Sequence, residues 1–398
     1  MLQDYPSARA AGCPFDPPPN LQALREQAPL VRVRLEDGST PWLVTRYAEQ
    51  KALLGDKRVS SDVTKPGYPM PMANGVPRSS GLSFILMDDP EHARQRRMVS
   101  ASFTIKRVEA MRPGVQQIVD DLIDRMLAGP KPVDLVKAFA LPVPSLVICQ
   151  LLGVPYDDHD FFQDNSKVLI NRYEDPAART AAAGRLFEYL DRLVGAKLDN
   201  PGDDLLSGLV GRIQDGELSR TDAAQMGVLM LIAGHETTAN MIALGTLALL
   251  ENPDQLAVLR ESDDPEVVAN AVEELLRYLN ITHNGRRRVA TEDIEIAGQV
   301  IRAGEGVIMP GDIANRDPDA FPDEPDRLDI HRNARHHVAF GFGVHQCLGQ
   351  PLARMELQVV YSTLYRRIPA LRLATDIDKI PFKHDASVYG VYELPVTW

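Results

Sequence analysis

The sequence is poor in cysteine and tryptophan, with 3 Cys and 2 Trp, and aromatic residues make up only 6% of it. Cys13, Cys149 and Cys347 leave an odd thiol, which argues against a disulfide framework and suits a reducing, cytoplasmic compartment. Positive charge is also scarce: 43 Lys and Arg against 55 Asp and Glu give a net charge of −12. Phosphate backbones need a basic face, so the balance argues against nucleic acid as the main partner. No repeat or low-complexity tract is present. The segment Met1–Pro6 lacks the basic region and apolar core of a secretory leader, so none is expected.

A long unbroken hydrophobic run is missing too. Met226–Leu250 is apolar at both ends, but His235, Glu236, Thr237 and Thr238 stand at its middle. A carboxylate at a bilayer centre costs a few kcal/mol, so the stretch reads as a buried helix and no membrane attachment is expected. With 44% hydrophobic and 25% charged residues, the remaining composition is that of a globular protein. Its 398 residues are enough to enclose a cofactor.

Residues 1–29 are proline-rich and read as an irregular surface wrap. Val31, Val33 and Leu35 alternate with Arg32 and Arg34, Asp37-Gly38 marks a turn, and Trp42–Thr45 resumes extended, which predicts a hairpin. Residues 64–86 are rich in proline and glycine and read as a long loop. From about residue 90 to 280 apolar residues recur at helical spacing, as in Val115, Ile118, Val119, Leu122, Ile123 and Met126. The stretch 221–251 is bounded by Thr221 as a candidate N-cap, Asp222 in the first turn and Asn252-Pro253 as its stop, and would run ~45 Å. Short strands follow at Ile294–Ile296 and Val307–Met309, then an Asp-, Pro- and Arg-rich loop over 311–338. A last helix, over about 350–368, has Pro351 near its start. The expectation is a mainly α chain, 1–398, forming a single domain without a clean linker. Its small β-rich lobe would comprise about 30–60, 290–310 and the C-terminal strands, and its helical lobe 90–280 and 350–368.

Chemistry concentrates at Phe340–Pro351, where Cys347 stands just ahead of that last helix. Unpaired N–H groups at a helix start stabilise a thiolate, and Gly341, Gly343 and Gly349 let the backbone turn and approach something flat. Such a cysteine is a nucleophile, a metal ligand or simply a buried thiol in a glycine-rich turn. His345 is too near in sequence to form a Cys–His dyad with it. His235-Glu236-Thr237-Thr238-Ala239 lacks the second histidine of a zinc protease, so the zinc reading fails.

Four motifs occur together. Phe340–Gly349 resembles the Phe-x-x-Gly-x-x-x-Cys-x-Gly loop of the cytochrome P450 family, Ala233–Thr238 its oxygen-binding helix, Glu274–Arg277 its Glu-x-x-Arg pair, and Pro325-Asp326-Arg327 its later arginine. They come in the family's order and the likeness covers nearly the whole chain. It is similar to the unanchored actinobacterial branch, and implies a cytochrome P450-like fold enclosing one heme b (iron protoporphyrin IX).

The resemblance implies that Cys347 is the proximal iron ligand, where thiolate donation favours O–O cleavage. It places Phe340 and Gly349 beside that ligand, and Ala233, Gly234, Glu236 and Thr237 on the distal side. Thr237 in mid-helix can bond the carbonyl of Ala233, Gly234 would add room for oxygen, and Glu236 would relay protons. His92 and Arg96, four apart on one helix face, with Arg288 and His345, would hold the heme propionates. Arg288 is chosen over Arg286 and Arg287 by its spacing to Thr291-Glu292-Asp293. Glu274, Arg277 and Arg327 would form a buried structural network, with Leu328 where the family commonly has Phe.

Leu231, Ile232, Ile281, Thr282, Val388 and Tyr389 would line an apolar substrate pocket together with the 64–86 loop. The implied activity is O2-dependent hydroxylation or epoxidation of a hydrophobic small molecule, a secondary metabolite or xenobiotic, by a monomer. Electrons would come from a ferredoxin and its reductase, docked on a basic face of Arg94, Arg97, Arg332, Arg335 and Arg354. The rival readings are a coupling or peroxide-driven enzyme of the same family and a heme-binding sensor. The Glu236-Thr237 pair argues against both.

Overall fold

The computed structural model describes residues 2–9, 12, 14–70, 84–282 and 284–398. Residues 71–83 of the loop expected over 64–86 therefore lie outside the described residues, while Phe84–Leu86 forms a 3-10 turn. The strands are β1 (Gln3–Asp4), β2 (Leu30–Arg34), β3 (Trp42–Val44), β4 (Val59–Ser60), β5 (Val133–Asp134), β6 (Arg286–Ala290), β7 (Ile294–Ile296), β8 (Gln299–Ile301), β9 (Gly306–Met309), β10 (Arg372–Leu373) and β11 (Pro395–Thr397). The first helices are α1 (Pro19–Gln27), α2 (Tyr47–Gly55), α3 (Glu91–Ser100), α4 (Ile105–Ala128), α5 (Pro142–Leu152), α6 (His159–Ile170) and α7 (Pro176–Asp199). They are followed by α8 (Leu205–Gln214), α9 (Arg220–Leu250), α10 (Pro253–Glu261), α11 (Pro265–Leu279), α12 (Gly311–Ala314) and α13 (Gln350–Arg367). The chain packs as two compact units, Met1–Ala93 with Ala269–Cys347 and Arg94–Val268 with Leu348–Trp398.

The first unit is built on a six-stranded sheet of order β1-β2-β3-β9-β6-β4. The expected hairpin is its nucleus, with Leu30 opposite Val44 and Arg32 opposite Trp42. Strand periodicity sends Val31, Val33, Leu43 and Ile308 to one face and Leu30, Val44, Val307 and Met309 to the other, and both faces are covered. The first face is covered by α1, which contradicts the irregular reading of residues 1–29. Pro19 opens that helix, and Leu21 and Leu24 on one side of it are buried, each worth about 2 kcal/mol.

The second unit is helical around α9, which packs against α5, α7, α8, α10 and α13. Every residue from Thr238 to Leu249 is buried, which is what a helix that is apolar all round requires in a globular protein. Among the described residues no helix is long and apolar enough to cross a membrane. The N-cap of α9 is Ser219 and not Thr221. Its hydroxyl accepts from the Asp222 N–H at 3.0 Å and donates to the Asp222 carboxylate at 2.7 Å. The C-terminal strands, expected in the β-rich lobe, belong to this unit, where β11 pairs with β10 and β5.

One buried acid of this unit gives a pH-dependent prediction. Glu356 on α13 is 2% exposed, its Oε2 has no hydrogen-bond partner, and burial pushes its carboxyl up from 4.5 to about 8. The folded chain therefore keeps a proton that the unfolded chain releases above pH 4.5, and stability falls as pH rises towards 8. Glu356→Gln removes that loss. In urea unfolding the variant matches the parent near pH 4.5 and exceeds it by a few kcal/mol at pH 8.

Candidate active site

In the first unit the cysteine loop is closed by its own backbone. The Cys347 N–H donates to the Phe340 carbonyl at 2.8 Å and the Gly341 N–H to Val338 at 2.9 Å. Gly341 and Gly343 both have φ of +74°, and a Cβ at Gly343 would sit 2.3 Å from the Leu54 carbonyl oxygen, so the loop needs glycine at these turns. Gly349 does not share that role. Its φ is −78° and it is the N-cap of α13. The Phe340 ring lies 5.7 Å from that of His337, and Cys347 itself is exposed.

Beside this loop, β6 carries three consecutive arginines whose alternation divides their work. Arg286 donates to the Ala339 carbonyl at 2.6 Å and holds the loop. Loss of solvent pulls its guanidinium down to about 10, with Arg288 adding to the shift and Cys347 opposing it. Arg287 faces away and donates to the Met70 carbonyl at 2.6 Å. Arg288 donates to the Arg287 carbonyl at 2.7 Å, and burial lowers its pKa against the opposing influence of Tyr68 and Asp88.

The two histidines predicted for the propionates come together in the same unit, with ring centroids 4.1 Å apart. His345 Nε2 and Ser61 Oγ share a hydrogen bond of 2.8 Å, and the Ser61 N–H is fixed by Asp88 at 2.9 Å. His92 Nδ1 is 3.0 Å from Asp89, leaving its buried Nε2 without a partner. A partnerless imidazole nitrogen, the Arg288 guanidinium and an exposed thiol form a donor set that fits two carboxylates and a soft metal, the chemistry of heme. Arg96 lies one helical turn beyond His92 on α3, in the portion that belongs to the second unit.

The buried network is only partly as expected. Glu274 and Arg277 are fully buried and joined by two bonds of 2.7 Å. The second guanidinium on Glu274 is Arg332, at 3.3 Å, and not Arg327. The Arg327 side chain is exposed and pairs with Glu324 at 3.1 Å, and only its carbonyl touches Arg277. Arg332 also donates to the carbonyls of Pro322, Asp323 and Glu324, which removes it from the expected docking face. Arg94, also expected on that face, donates to the Glu217 carbonyl at 2.8 Å. The network reaches the cysteine loop through Asn315. Its carbonyl accepts from Arg277 at 2.8 Å while its side-chain oxygen accepts from the Val338 N–H at 2.8 Å. Leu328 is buried without disturbance.

In the second unit, Thr237 Oγ1 donates to the Ala233 carbonyl at 2.6 Å, the bond its place in the helix predicts, yet α9 continues unbroken. Ala233 is exposed and Thr237 half-buried, one turn apart. Gly234 does not offer open room: a Cβ there would meet Ile148 at 2.8 Å, so it serves the packing of α9 on α5. Glu236 is buried, with Oε2 3.2 Å from Asn240 Nδ2 and 3.5 Å from Lys383 Nζ. His235 is buried beside it, and desolvation lowers its pKa, so the ring is neutral near pH 7.

Of the pocket residues expected here, Leu231 packs in the core and Tyr389 is buried with its ring stacked on Phe382. Ile232 and Val388 keep accessible surface. Ile281 and Thr282 lie in the first unit, also partly exposed, just after Asn280, a left-handed residue with φ of 22°. Ser61 and Lys383 escaped sequence reasoning, whereas Arg286 was set aside for Arg288 and Arg332 was given to the docking face. Arg286 alone carried a signal, through strand alternation.

A helix-rich chain with a small sheet and a cysteine loop shaped by glycine has the architecture of a heme-dependent oxidoreductase. The chain belongs to the cytochrome P450 family, whose model matches residues 196–370. It is 59% identical to cytochrome P450 GfsF of Streptomyces halstedii over 99% of this chain and 96% of that one. The crystal structure of GfsF superposes with a TM-score of 0.94, each chain fully covered. A further structure, the mycinamicin VIII C21 methyl hydroxylase MycCI from Micromonospora griseorubida bound to mycinamicin VIII, is 43% identical, with a TM-score of 0.94 and full coverage of both chains. The protein is an oxidoreductase of the P450 monooxygenase type.

Proposed function

We propose that the chain hydroxylates or epoxidises a hydrophobic secondary metabolite, with Cys347 as axial ligand of heme b and electrons delivered by a ferredoxin. The observation that carries this reading is the donor set around Cys347: an exposed thiol, the unpartnered Nε2 of buried His92, and Arg288. Mycinamicin VIII in a relative of equal fold supports the substrate class. When bound, heme would supply dioxygen activation, which thiolate donation favours. His92, Arg288 and His345 would hold the propionates, and Arg96 is the remaining candidate named by the resemblance. Glu274, Arg277 and Arg332 position the cysteine loop through Asn315. Ile232 and Val388 in the second unit, and Ile281 and Thr282 in the first, each keep accessible surface within their own unit.

Glu236 carries protons inward and the Thr237 hydroxyl passes them on, an assignment supported by the burial of the acid and the half-exposure of the alcohol. Thr237→Ala tests it in the enzyme reconstituted with a ferredoxin and its reductase, on a ligand found by its spin-state change. Product formation falls on the order of 100-fold while reducing equivalents leave as hydrogen peroxide. Turnover that survives intact with added peroxide identifies a peroxide-driven enzyme.

A further inference from the structure

The acid of the central helix is met by a lysine from far along the chain. Lys383 Nζ is 3.5 Å from Glu236 Oε2, and both side chains are almost wholly buried. Taking either charge out of water alone costs several kcal/mol, so each compensates the other's burial. The separation is that of an ion pair and not of a tight hydrogen bond. The ammonium therefore holds the carboxylate by charge and not by a short bond. Asn240 completes the seat: its amide donates to the Glu236 carbonyl at 2.7 Å and lies 3.2 Å from Oε2. The other facing groups are the His235 ring, 3.7 Å from Oε1, and Tyr392, whose ring lies 5.6 Å from Nζ and whose hydroxyl is tied to Asp385 at 2.8 Å.

The lysine is delivered by a short hairpin. The Lys383 N–H donates to the Gly390 carbonyl at 2.8 Å, and Phe382 pairs with Val391. A Cβ at Gly390 would fall 1.8 Å from Asn240 Oδ1, so glycine lets the hairpin come down onto α9. Its tip is strapped to the connection after α6: Asn171 pairs with Ala386, the Arg172 N–H donates to Asp385 at 2.9 Å, and the Ser387 N–H donates to Ile170 at 3.0 Å.

We infer that Lys383 is a positioning residue for proton delivery, holding the Glu236 side chain in place so that the acid can relay protons. This rests on the reading of Glu236 as that relay. In the reconstituted holoenzyme, Lys383→Met raises the peroxide share and the solvent hydrogen isotope effect on turnover, while the ligand-induced spin shift is unchanged. Lys383→Arg restores most of both. Gly390→Ala, which lifts the hairpin without removing a charge, reproduces the two changes at smaller size. Independently of turnover, acetylation of Lys383 by acetic anhydride, read by peptide mass spectrometry, rises about tenfold in Glu236→Gln, as loss of a buried partner requires.

Unchanged acetylation in Glu236→Gln overturns the inference. So does a Lys383→Met enzyme with parental peroxide share and isotope effect when Glu236→Gln alters both. If Glu236→Gln itself alters neither, the relay reading fails first. Should Lys383→Met not fold, a Lys383→Arg enzyme as uncoupled as Glu236→Gln overturns it.

Discussion

Cys347→His abolishes the far-red Soret band of the reduced, carbon monoxide-bound protein. The loop around residue 347 is fixed by glycine geometry and by the 2.8 Å bond from the Cys347 N–H to Phe340, both independent of the side chain. The variant should fold, take up heme through His92, Arg288 and His345, and absorb where imidazole-ligated heme does. Electron donation from sulfur is what shifts the band, so its loss reports the ligand directly. Monooxygenase turnover should fall to the background of the assay, because the thiolate's push is missing. A red-shifted band that survives the substitution would place the ligand elsewhere.

Arg332→Ala destabilises the chain by about 3 kcal/mol, whereas Arg327→Ala changes it by about 0.5 kcal/mol or less. The contrast follows from burial. Arg332 has a side chain 9% exposed, bonds the buried Glu274 and ties three carbonyls of residues 322–324. Removing it leaves a buried carboxylate with one guanidinium where it had two. Arg327 has a side chain 63% exposed, and its ion pair with Glu324 is solvated. Urea unfolding of the two variants measures the difference directly. Arg332→Ala should also lose heme sooner on dilution, since the network it completes reaches the cysteine loop through Asn315. Equal effects from the two substitutions would return Arg327 to the role its motif suggests.

These two arginines show where sequence reasoning works and where it stops. Contacts set by local geometry were legible, Thr237 with the carbonyl four residues back and the hairpin at Leu30–Val44, and the resemblance supplied the pair of Glu274 with Arg277. Motif matching then selected Arg327, because nothing in the spacing distinguishes it from Arg332, five residues on in an irregular loop. The choice is made by the fold of residues 311–338, whose bonds are irregular and carry no period. Lys383 was invisible for the same reason, since its partner sits on α9 and only the hairpin at 380–392 brings the two together. Helix α1 was hidden behind its prolines, although Pro19 is a favourable start and Leu21 and Leu24 have helical spacing. The C-terminal strands were assigned to the wrong unit because short strands do not advertise their partners, and β5 is only two residues long.

The strap between residues 170–172 and 384–387 has a bearing on engineering. Exposed turns tolerate substitution, and Tyr173, exposed at 74%, invites it. Here the neighbouring backbone is bonded to the hairpin that carries Lys383. Substitutions at that turn that disturb these bonds would therefore loosen the seat of Glu236. On the relay proposed for Glu236, a screen of such variants should count product per electron and not product alone.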